Sequence, residues 1–195
     1  MKVGVLALQG AVTEHIVSMQ KAGAEALPIK QVEQLQEIDG LIIPGGESTT
    51  IGKLMRKYGF IEAIRDFAGQ GKPVFGTCAG MIVLANRIAG GEPEHLGLMD
   101  ITVARNAFGR QRESFECDLE VKGIDELVRA VFIRAPLIAE VGSDVEVLSV
   151  YNDEIVTARQ NHLLATSFHP ELTDDYRLHQ YFADMVKASI AENVK

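Results

Sequence analysis

Residues 73–80 read Pro-Val-Phe-Gly-Thr-Cys-Ala-Gly, and this junction decides the fold. Residues 73–77 are a short apolar run beside turn-forming residues, which predicts a buried strand. Residues 79–88 follow directly and are apolar enough to predict a helix that packs on the strand. A buried strand followed at once by a helix begins a βαβ unit, in which successive strands are parallel.

The same alternation extends in both directions along the chain. Strands are predicted at residues 3–8, 40–44 and 163–168, and helices at residues 11–22, 49–58, 61–68 and 174–191, the last with Thr173 and Asp174 in its cap and first turn. Shorter strands without long helices between them are predicted at residues 101–104, 115–121, 130–133, 145–150 and 154–159. The prediction is an α/β fold with a doubly wound, mostly parallel sheet flanked by helices, in a single domain of residues 1–195.

The composition restricts the partners and the compartment. The 195-residue chain has a formal net charge of −8, which disfavours nucleic acid and anionic membranes as partners because both repel an acidic protein. The apolar run at residues 3–8 is too short for a signal peptide, and no stretch is long enough to span a membrane. The two cysteines form no disulfide framework. We therefore expect a cytoplasmic protein, and nothing in the sequence calls for a metal or a cofactor.

Cys78 is the candidate nucleophile. It lies between the predicted strand and helix, in Gly76-Thr77-Cys78-Ala79-Gly80, where a tight turn would expose its sulfur and the glycines would remove clashing Cβ atoms. The helix N-terminus would favour the reactive thiolate. The N–H of Ala79 could face the oxyanion formed on a carbonyl under attack. The same pattern also occurs where a cysteine serves only for packing.

His169 and Glu171 are the candidate partners of this nucleophile. Pro170 disfavours a helical backbone at His169, and in an extended segment residues i and i+2 point to the same side. We therefore expect the carboxylate to orient the imidazole, as in a catalytic triad. A histidine at a strand end beside a solvated glutamate is the alternative interpretation of these two residues alone.

A glycine-rich loop, Gly45-Gly46-Glu47-Ser48-Thr49-Thr50, follows the predicted strand at residues 40–44. It lacks the lysine of a Walker loop, and an acidic side chain would repel phosphate, so nucleotide binding is disfavoured. The carboxyl ends of neighbouring parallel strands share one crevice. The loop is therefore expected to line the same pocket as Cys78 and to offer backbone N–H donors.

The remaining cysteine and histidines receive structural interpretations. Cys117 falls on the apolar side of an alternating strand and is predicted to be in the core. His15, His95, His162 and His179 show no metal-ligand spacing, and they are predicted to lie on the surface or at helix caps.

Six segments together resemble the class I glutamine amidotransferases, and within them the glutaminase subunits of pyridoxal 5′-phosphate synthases. The resemblance spans nearly the whole chain, in segments at residues 3–11, 44–51, 76–81, 105–111, 132–136 and 165–172. It implies a glutaminase domain that hydrolyses glutamine to glutamate and ammonia. It also implies a partner, the ring-forming synthase subunit, which uses the ammonia to make vitamin B6 within a large hetero-oligomer.

The resemblance assigns roles to individual residues. Cys78 would be the acylated nucleophile, with His169 as general base and acid and Glu171 orienting it. Glutamine would be bound by Gly46, Glu47, Ser48, Arg105, Ile133 and Arg134, and Gly46 would join Ala79 in the oxyanion site. The charges of the substrate agree, because an arginine could hold the α-carboxylate in a bidentate grip and Glu47 could meet the ammonium. Met81 and Ala104 depart mildly from the family pattern.

Three alternatives share part of this evidence. A glutaminase subunit of another synthase, such as that of the histidine pathway, would keep the triad but differ around residues 46–48 and 105–111. A decayed, non-catalytic module would have lost Cys78, His169 or Glu171. A cysteine hydrolase acting on another amide would lack recognition of both charges of glutamine.

Overall fold

The computed structural model describes residues 1–105, 108 and 114–195. Within them twelve strands are found: β1 Lys2–Leu6, β2 Glu25–Ile29, β3 Gly40–Ile43, β4 Val74–Thr77, β5 Ala85–Ile88, β6 Met99–Ala104, β7 Ser114–Val121, β8 Ile124–Ile133, β9 Leu137–Val141, β10 Glu146–Tyr151, β11 Glu154–Gln160 and β12 Leu163–Thr166. The helices in the same residues are α1 Val12–Lys21, α2 Ser48–Lys57, α3 Phe60–Gly69, α4 Ala79–Leu84 and α5 Arg177–Asn193, with 3-10 turns at Val32–Glu37 and Pro170–Leu172.

One large sheet organises the molecule, with the strand order β2-β1-β3-β4-β12-β11-β9-β6-β5 and β10 beside β11. Strands β2, β1, β3, β4 and β12, which are neighbours in this order, are parallel to one another, and β5 is parallel to β6. Strand β11 is antiparallel to β9, β10 and β12. Strands β7 and β8 form a separate antiparallel pair. The α/β prediction is confirmed, and the parallel half of the sheet contains the strand that ends at the candidate nucleophile.

The central parallel strands β1, β3, β4 and β12 are buried on both faces almost throughout, which explains their apolar sequences. Along β3, Leu41 and Ile43 belong to one hydrophobic core and Ile42 to the other, because successive side chains of a strand point to opposite faces. Residues of α2, α3 and α4 fill the first core, and residues of α1 and α5 fill the second. The sheet is therefore held between two helical layers, and its carboxyl edge is left for a site.

Two local predictions are wrong, and two further strands were missed. The predicted helix at residues 79–88 ends at Leu84, and Ala85–Ile88 is strand β5, which pairs with β6. Strands β2 and β9 were not predicted at all. The proposed cap of the last helix also fails, because α5 begins at Arg177 and the Thr173 hydroxyl instead bonds within the preceding turn.

Among the described residues, no helix is both long enough and apolar enough to cross a membrane.

Candidate active site

Cys78 lies on a strained turn between β4 and α4. Its φ of 52° and ψ of −108° put a non-glycine residue in a backbone region that side chains rarely adopt. Its N–H donates to the carbonyl of Thr166 on β12, at 2.8 Å, which ties the turn to the neighbouring strand. The side chain is almost fully buried, and Sγ lies 3.9 Å from the carbonyl oxygen of Ile133.

The glycines on either side of Cys78 are required by close backbone approaches. A Cβ at Gly76 would lie 2.4 Å from the carbonyl oxygen of Gly80. A Cβ at Gly80 would lie 2.0 Å from the carbonyl oxygen of Ile43. Since backbone atoms have little freedom to move away, the turn can form only where both residues lack side chains. As expected from the sequence, the glycines on both sides of Cys78 therefore remove Cβ atoms that would clash.

His169 and Glu171 face each other through a turn. Nδ1 of His169 lies 2.5 Å from Oε1 of Glu171, and the N–H of His169 donates to the carbonyl of Val131 at 2.8 Å. Glu171 itself lies in the 3-10 turn Pro170–Leu172 and is buried. The contact was expected, but the reason given for it was wrong, because a turn rather than an extended segment brings the two side chains together.

The protonation of His169 depends on its two neighbours. Burial lowers the pKa of this histidine, but hydrogen bonds with Cys78 and Glu171, together with their charges, outweigh burial and raise the pKa to about 10. His169 is therefore positively charged near neutral pH. An imidazolium beside Cys78 supplies the counter-charge of a thiolate, which is the reactive form of cysteine.

The glycine loop after β3 approaches the same site. A Cβ at Gly45 would lie 2.5 Å from Cε1 of His169, so only glycine lets this loop pack against the imidazole. Two residues further along the loop, the N–H of Glu47 donates to Oε1 of Gln9 at 2.7 Å. The loop is thus held between His169 on one side and Gln9, three residues after the end of β1, on the other.

Glu47 is the N-cap of α2. Its carboxylate accepts from the N–H of Thr49 at 3.0 Å, the N–H of Thr50 at 2.7 Å and the hydroxyl of Thr50 at 2.6 Å. These bonds, the Thr50 hydroxyl first among them, lower the pKa of Glu47 to about 2. The side chain is therefore a carboxylate at neutral pH, and its primary contact in this structure is with the helix that it caps.

A cavity of about 490 Å³ contains the sulfur and the imidazole. It is lined by Gly46, Glu47, Ser48, Cys78, Ala79, Ile82, Arg105, Ile133, Arg134, Pro136 and His169. Every residue expected to contact glutamine therefore borders the cavity that contains Cys78. Its volume is in the range of small-molecule sites. Ala79 is the first residue of α4, so its N–H has no partner within the helix and remains available at the cavity wall.

The two arginines of the cavity differ in how far their charges are engaged. Arg105 forms an ion pair with Glu92 at 3.0 Å and donates to the Thr49 hydroxyl at 3.3 Å, while its Nε is buried without a hydrogen-bond partner among the described residues. Arg134 has a φ of 44° and no carboxylate partner in the described part of the chain. Residues 106, 107 and 109–111 of the segment that carries the resemblance lie outside the described residues.

Several buried polar residues were not foreseen. His15, His95 and His179 are buried, so the expectation of surface or cap positions is wrong for them. The signal was present in the helical spacing: His15 precedes the buried Met19 by four residues, and His179 precedes the buried Phe182 and Ala183 by three and four residues. Cys117 is half-buried at the edge of the second core rather than fully inside it.

Within residues 1–105, 108 and 114–195, no group of three or more His, Cys, Asp or Glu side chains is arranged to hold a metal ion.

Comparison with known proteins gives one family. A family model described as the SNO glutamine amidotransferase family matches residues 5–188. A protein of Niallia circulans named pyridoxal 5′-phosphate synthase subunit PdxT is 73% identical over 187 residues, which cover 96% of this chain and 98% of that protein. A protein of the same name from Geobacillus sp. (strain WCH70) is 63% identical over 191 residues, covering 98% of this chain and 100% of that protein.

The solved structures agree with the family model. A crystal structure described as a glutamine amidotransferase has a TM-score of 0.91 and 50% identity, with 95% of this chain and 98% of that chain covered. The structure of PurLQS from Thermotoga maritima has a TM-score of 0.69 at 18% identity, covering 100% of this chain and 99% of that chain, and shows a shared fold alone. The resemblance stated from sequence is confirmed: this chain belongs to the SNO glutamine amidotransferase family.

Proposed function

We propose that this chain is the glutaminase subunit of a pyridoxal 5′-phosphate synthase, and that Cys78, His169 and Glu171 carry out the hydrolysis of glutamine. One observation supports the mechanism above the others. A cysteine on a strained turn, an imidazolium and two arginines border the same cavity, and the imidazole is bonded to a buried carboxylate. In this proposal residues 1–195 form one glutaminase domain.

The first half of the reaction forms a thioester. Sγ of Cys78 attacks the side-chain amide carbon of glutamine, and the carbonyl electrons move onto oxygen. The N–H of Ala79 stabilises this oxyanion, with the N–H of Gly46 as the second donor. His169 gives its proton to the amide nitrogen, the carbon–nitrogen bond breaks, and ammonia leaves.

The second half releases glutamate. His169 is neutral after its proton transfer, so it can accept a proton from a water molecule that attacks the thioester carbon. The carbon–sulfur bond breaks, glutamate leaves, and the thiolate and imidazolium are restored. Glu171 keeps the imidazole in one orientation throughout and stabilises the charged form that begins and ends the cycle.

Substrate recognition uses both signs of charge. Arg134, which has no carboxylate partner among the described residues, is free to pair with the α-carboxylate of glutamine, and Arg105 borders the same cavity. The ammonium is assigned to Glu47 and its loop. Glu47 is a carboxylate at neutral pH and lines the cavity while it caps α2. Ser48 and the backbone of Gly46 and Ile133 complete the glutamine site.

The partner follows from the named relatives. Those proteins are described as subunits of pyridoxal 5′-phosphate synthase. This chain would pass its ammonia to the ring-forming subunit, in the cytoplasm, where Cys78 stays reduced. We expect the isolated chain to be weakly active, because an ammonia donor without an acceptor wastes glutamine.

The test is the release of glutamate from glutamine, with and without the synthase subunit. Wild type is compared with Cys78→Ala and with Cys117→Ala, which removes the other cysteine outside the cavity. The proposal predicts release that the partner stimulates, that is lost in Cys78→Ala and that persists in Cys117→Ala. Release that survives in Cys78→Ala would exclude this residue as nucleophile, and full turnover without the partner would contradict the proposed coupling.

A further inference from the structure

Three buried polar residues lie directly behind Glu171, and the mechanism above uses none of them. Nε2 of His15, on α1, lies 3.5 Å from Oε2 of Glu171 and 3.1 Å from the hydroxyl of Thr77, the last residue of β4. Nδ1 of His15 lies 2.8 Å from Nε2 of His179, on α5. Helices α1 and α5 therefore each contribute one imidazole to a line of polar groups that ends at the carboxylate.

All of these side chains are buried, so solvent water cannot replace the contacts that they make with one another. His15, Thr77 and His179 are each 0% exposed, and Glu171 is 5% exposed. Oε2 of Glu171 has no short hydrogen bond in the described part of the chain, and the ring of His15 provides its contact at 3.5 Å. A buried carboxylate oxygen without a donor is costly, which makes His15 the group that must satisfy it.

Both imidazoles are neutral near pH 7. Burial lowers the pKa of His15, and electrostatic interactions with His179 and His169 lower it further. Burial alone lowers the pKa of His179 to about 3. Each ring therefore carries one N–H and one acceptor nitrogen, and the short contact between them requires one ring to donate and the other to accept.

The carboxylate of Glu171 determines which imidazole donates and which accepts in the contact between His15 and His179. If His15 carried its proton on Nδ1, its Nε2 lone pair would face Oε2 of Glu171, and two acceptors would oppose each other in a buried place. If His15 carries its proton on Nε2, that N–H is shared between Thr77 and Glu171, and Nδ1 accepts from Nε2–H of His179. Only the second arrangement leaves no pair of acceptors in contact.

We propose that His15 is a positioning residue for this glutaminase: its Nε2–H donates to the second oxygen of Glu171, and His179 holds His15 in that tautomer. A carboxylate held at both oxygens keeps one geometry toward His169, whereas a carboxylate held at one oxygen can rotate away. The catalytic consequence rests on the proposed function, but the hydrogen-bond arrangement does not.

The arrangement is tested in the wild-type chain by its histidine nitrogens. Nitrogen-15 NMR distinguishes protonated from unprotonated ring nitrogens, and the signals of His15 are assigned by their loss in a His15 variant. We expect Nε2 of His15 to be protonated and Nδ1 to be unprotonated at neutral pH. A proton on Nδ1 would overturn the proposal whether or not the chain hydrolyses glutamine.

The catalytic consequence is tested with two matched variants. In His15→Gln the amide nitrogen can reach the position of Nε2, beside Glu171, whereas in His15→Asn it can reach only the position of Nδ1, beside His179. With the synthase subunit present, we expect kcat to fall roughly tenfold further in His15→Asn than in His15→Gln, with KM for glutamine unchanged in both. His162→Gln, which removes a histidine outside the network, should leave kcat at the wild-type value.

Failure of the positioning role and failure of the proposed function give different results. Equal kcat values for folded His15→Gln and His15→Asn would overturn the positioning role, and so would a change confined to KM. Absence of partner-stimulated activity in the wild type would instead overturn the proposed function, and the NMR measurement would then decide the hydrogen-bond arrangement alone. Thermal unfolding of each variant shows whether it is folded. If His15→Asn is not folded, His179→Gln and His179→Met provide the comparison instead, because the glutamine amide can donate to Nδ1 of His15 and the methionine cannot.

Discussion

Nδ1 of His169 lies 2.5 Å from Oε1 of Glu171, across the intervening Pro170. This contact engages one ring nitrogen, so Nε2 is the nitrogen left for Cys78. The two hydrogen-bonding neighbours outweigh burial and raise the pKa of the histidine to about 10. The imidazole is therefore charged and fixed in one direction before any substrate enters the cavity.

Replacing the carboxylate should shift the pH profile. In Glu171→Gln the negative charge beside His169 is removed, so the imidazolium loses stabilisation and the pKa of His169 falls from about 10. The alkaline limb of kcat against pH should move to lower pH by about one unit or more, and kcat should fall roughly tenfold or more. The exposed Glu62, which pairs with Arg65, provides the control Glu62→Gln. An unmoved alkaline limb in Glu171→Gln would show that the contact does not govern the protonation of His169.

Removing the cavity arginines should weaken glutamine binding more than catalysis. We expect Arg134→Ala to raise KM for glutamine roughly 10- to 100-fold, because a charge-assisted hydrogen bond to the α-carboxylate is lost. Arg105→Ala should act in the same direction. Arg87 is the matched control for Arg105, since it likewise pairs with a carboxylate, Asp100, but does not line the cavity.

These variants are measured by steady-state kinetics with the synthase subunit present. The assignment of the α-carboxylate fails if Arg87→Ala raises KM as much as the two cavity variants. It also fails if glutamine analogues without the carboxylate lose as much affinity in Arg134→Ala as glutamine itself.

Adding one methyl group at Gly80 should destabilise the fold. The new Cβ would lie 2.0 Å from the backbone oxygen of Ile43, so β3 and α4 would have to separate, at a cost of about 1–3 kcal/mol in the free energy of unfolding. Gly69, at the end of α3, has no atom within 4 Å of a built Cβ. Gly69→Ala should therefore stabilise the chain by about 0.5–1 kcal/mol.

Urea denaturation of the two glycine variants checks this pair. Equal stabilities for Gly80→Ala and Gly69→Ala would mean that the turn around Cys78 tolerates a side chain and that its close packing is not the reason for glycine.

The parallel core of the fold could be predicted because its signals are local. The strands at β1, β3, β4 and β12 are continuous apolar runs between turn formers, and a buried strand in a parallel sheet requires that composition. The glycine pattern around Cys78 likewise encodes a local steric requirement. These features depend on residues within a few positions of one another.

The misassigned elements depend on distant partners instead. The apolar run after Cys78 does not show where its helix ends, because a short buried helix and a buried strand have similar compositions. Ala85–Ile88 becomes a strand because β6 is available to pair with it, and Asn86 and Arg87 reach Asp100 on that strand. Strand β2 carries Pro28, which lowers its strand signal but is tolerated at the edge of the sheet.

The sequence predicted the residues of the candidate site but not the buried histidines that contact Glu171 from behind. Cys78, His169 and Glu171 stand out by residue type and by their neighbours in sequence. His15 and His179 do not, because nothing in the sequence places two histidines 164 positions apart in contact. Their helical spacing predicts burial, and only the packing of α1 and α5 on the same face shows what they touch.

The most direct test of the central claim is to trap the acyl-enzyme. The chain is mixed with glutamine and the synthase subunit, quenched in acid, digested and examined by mass spectrometry. We expect a glutamyl group on the peptide that contains Cys78 and none on the peptide that contains Cys117. A glutamyl group on any other residue, or glutamate release with no acylated Cys78 under conditions that preserve thioesters, would contradict it.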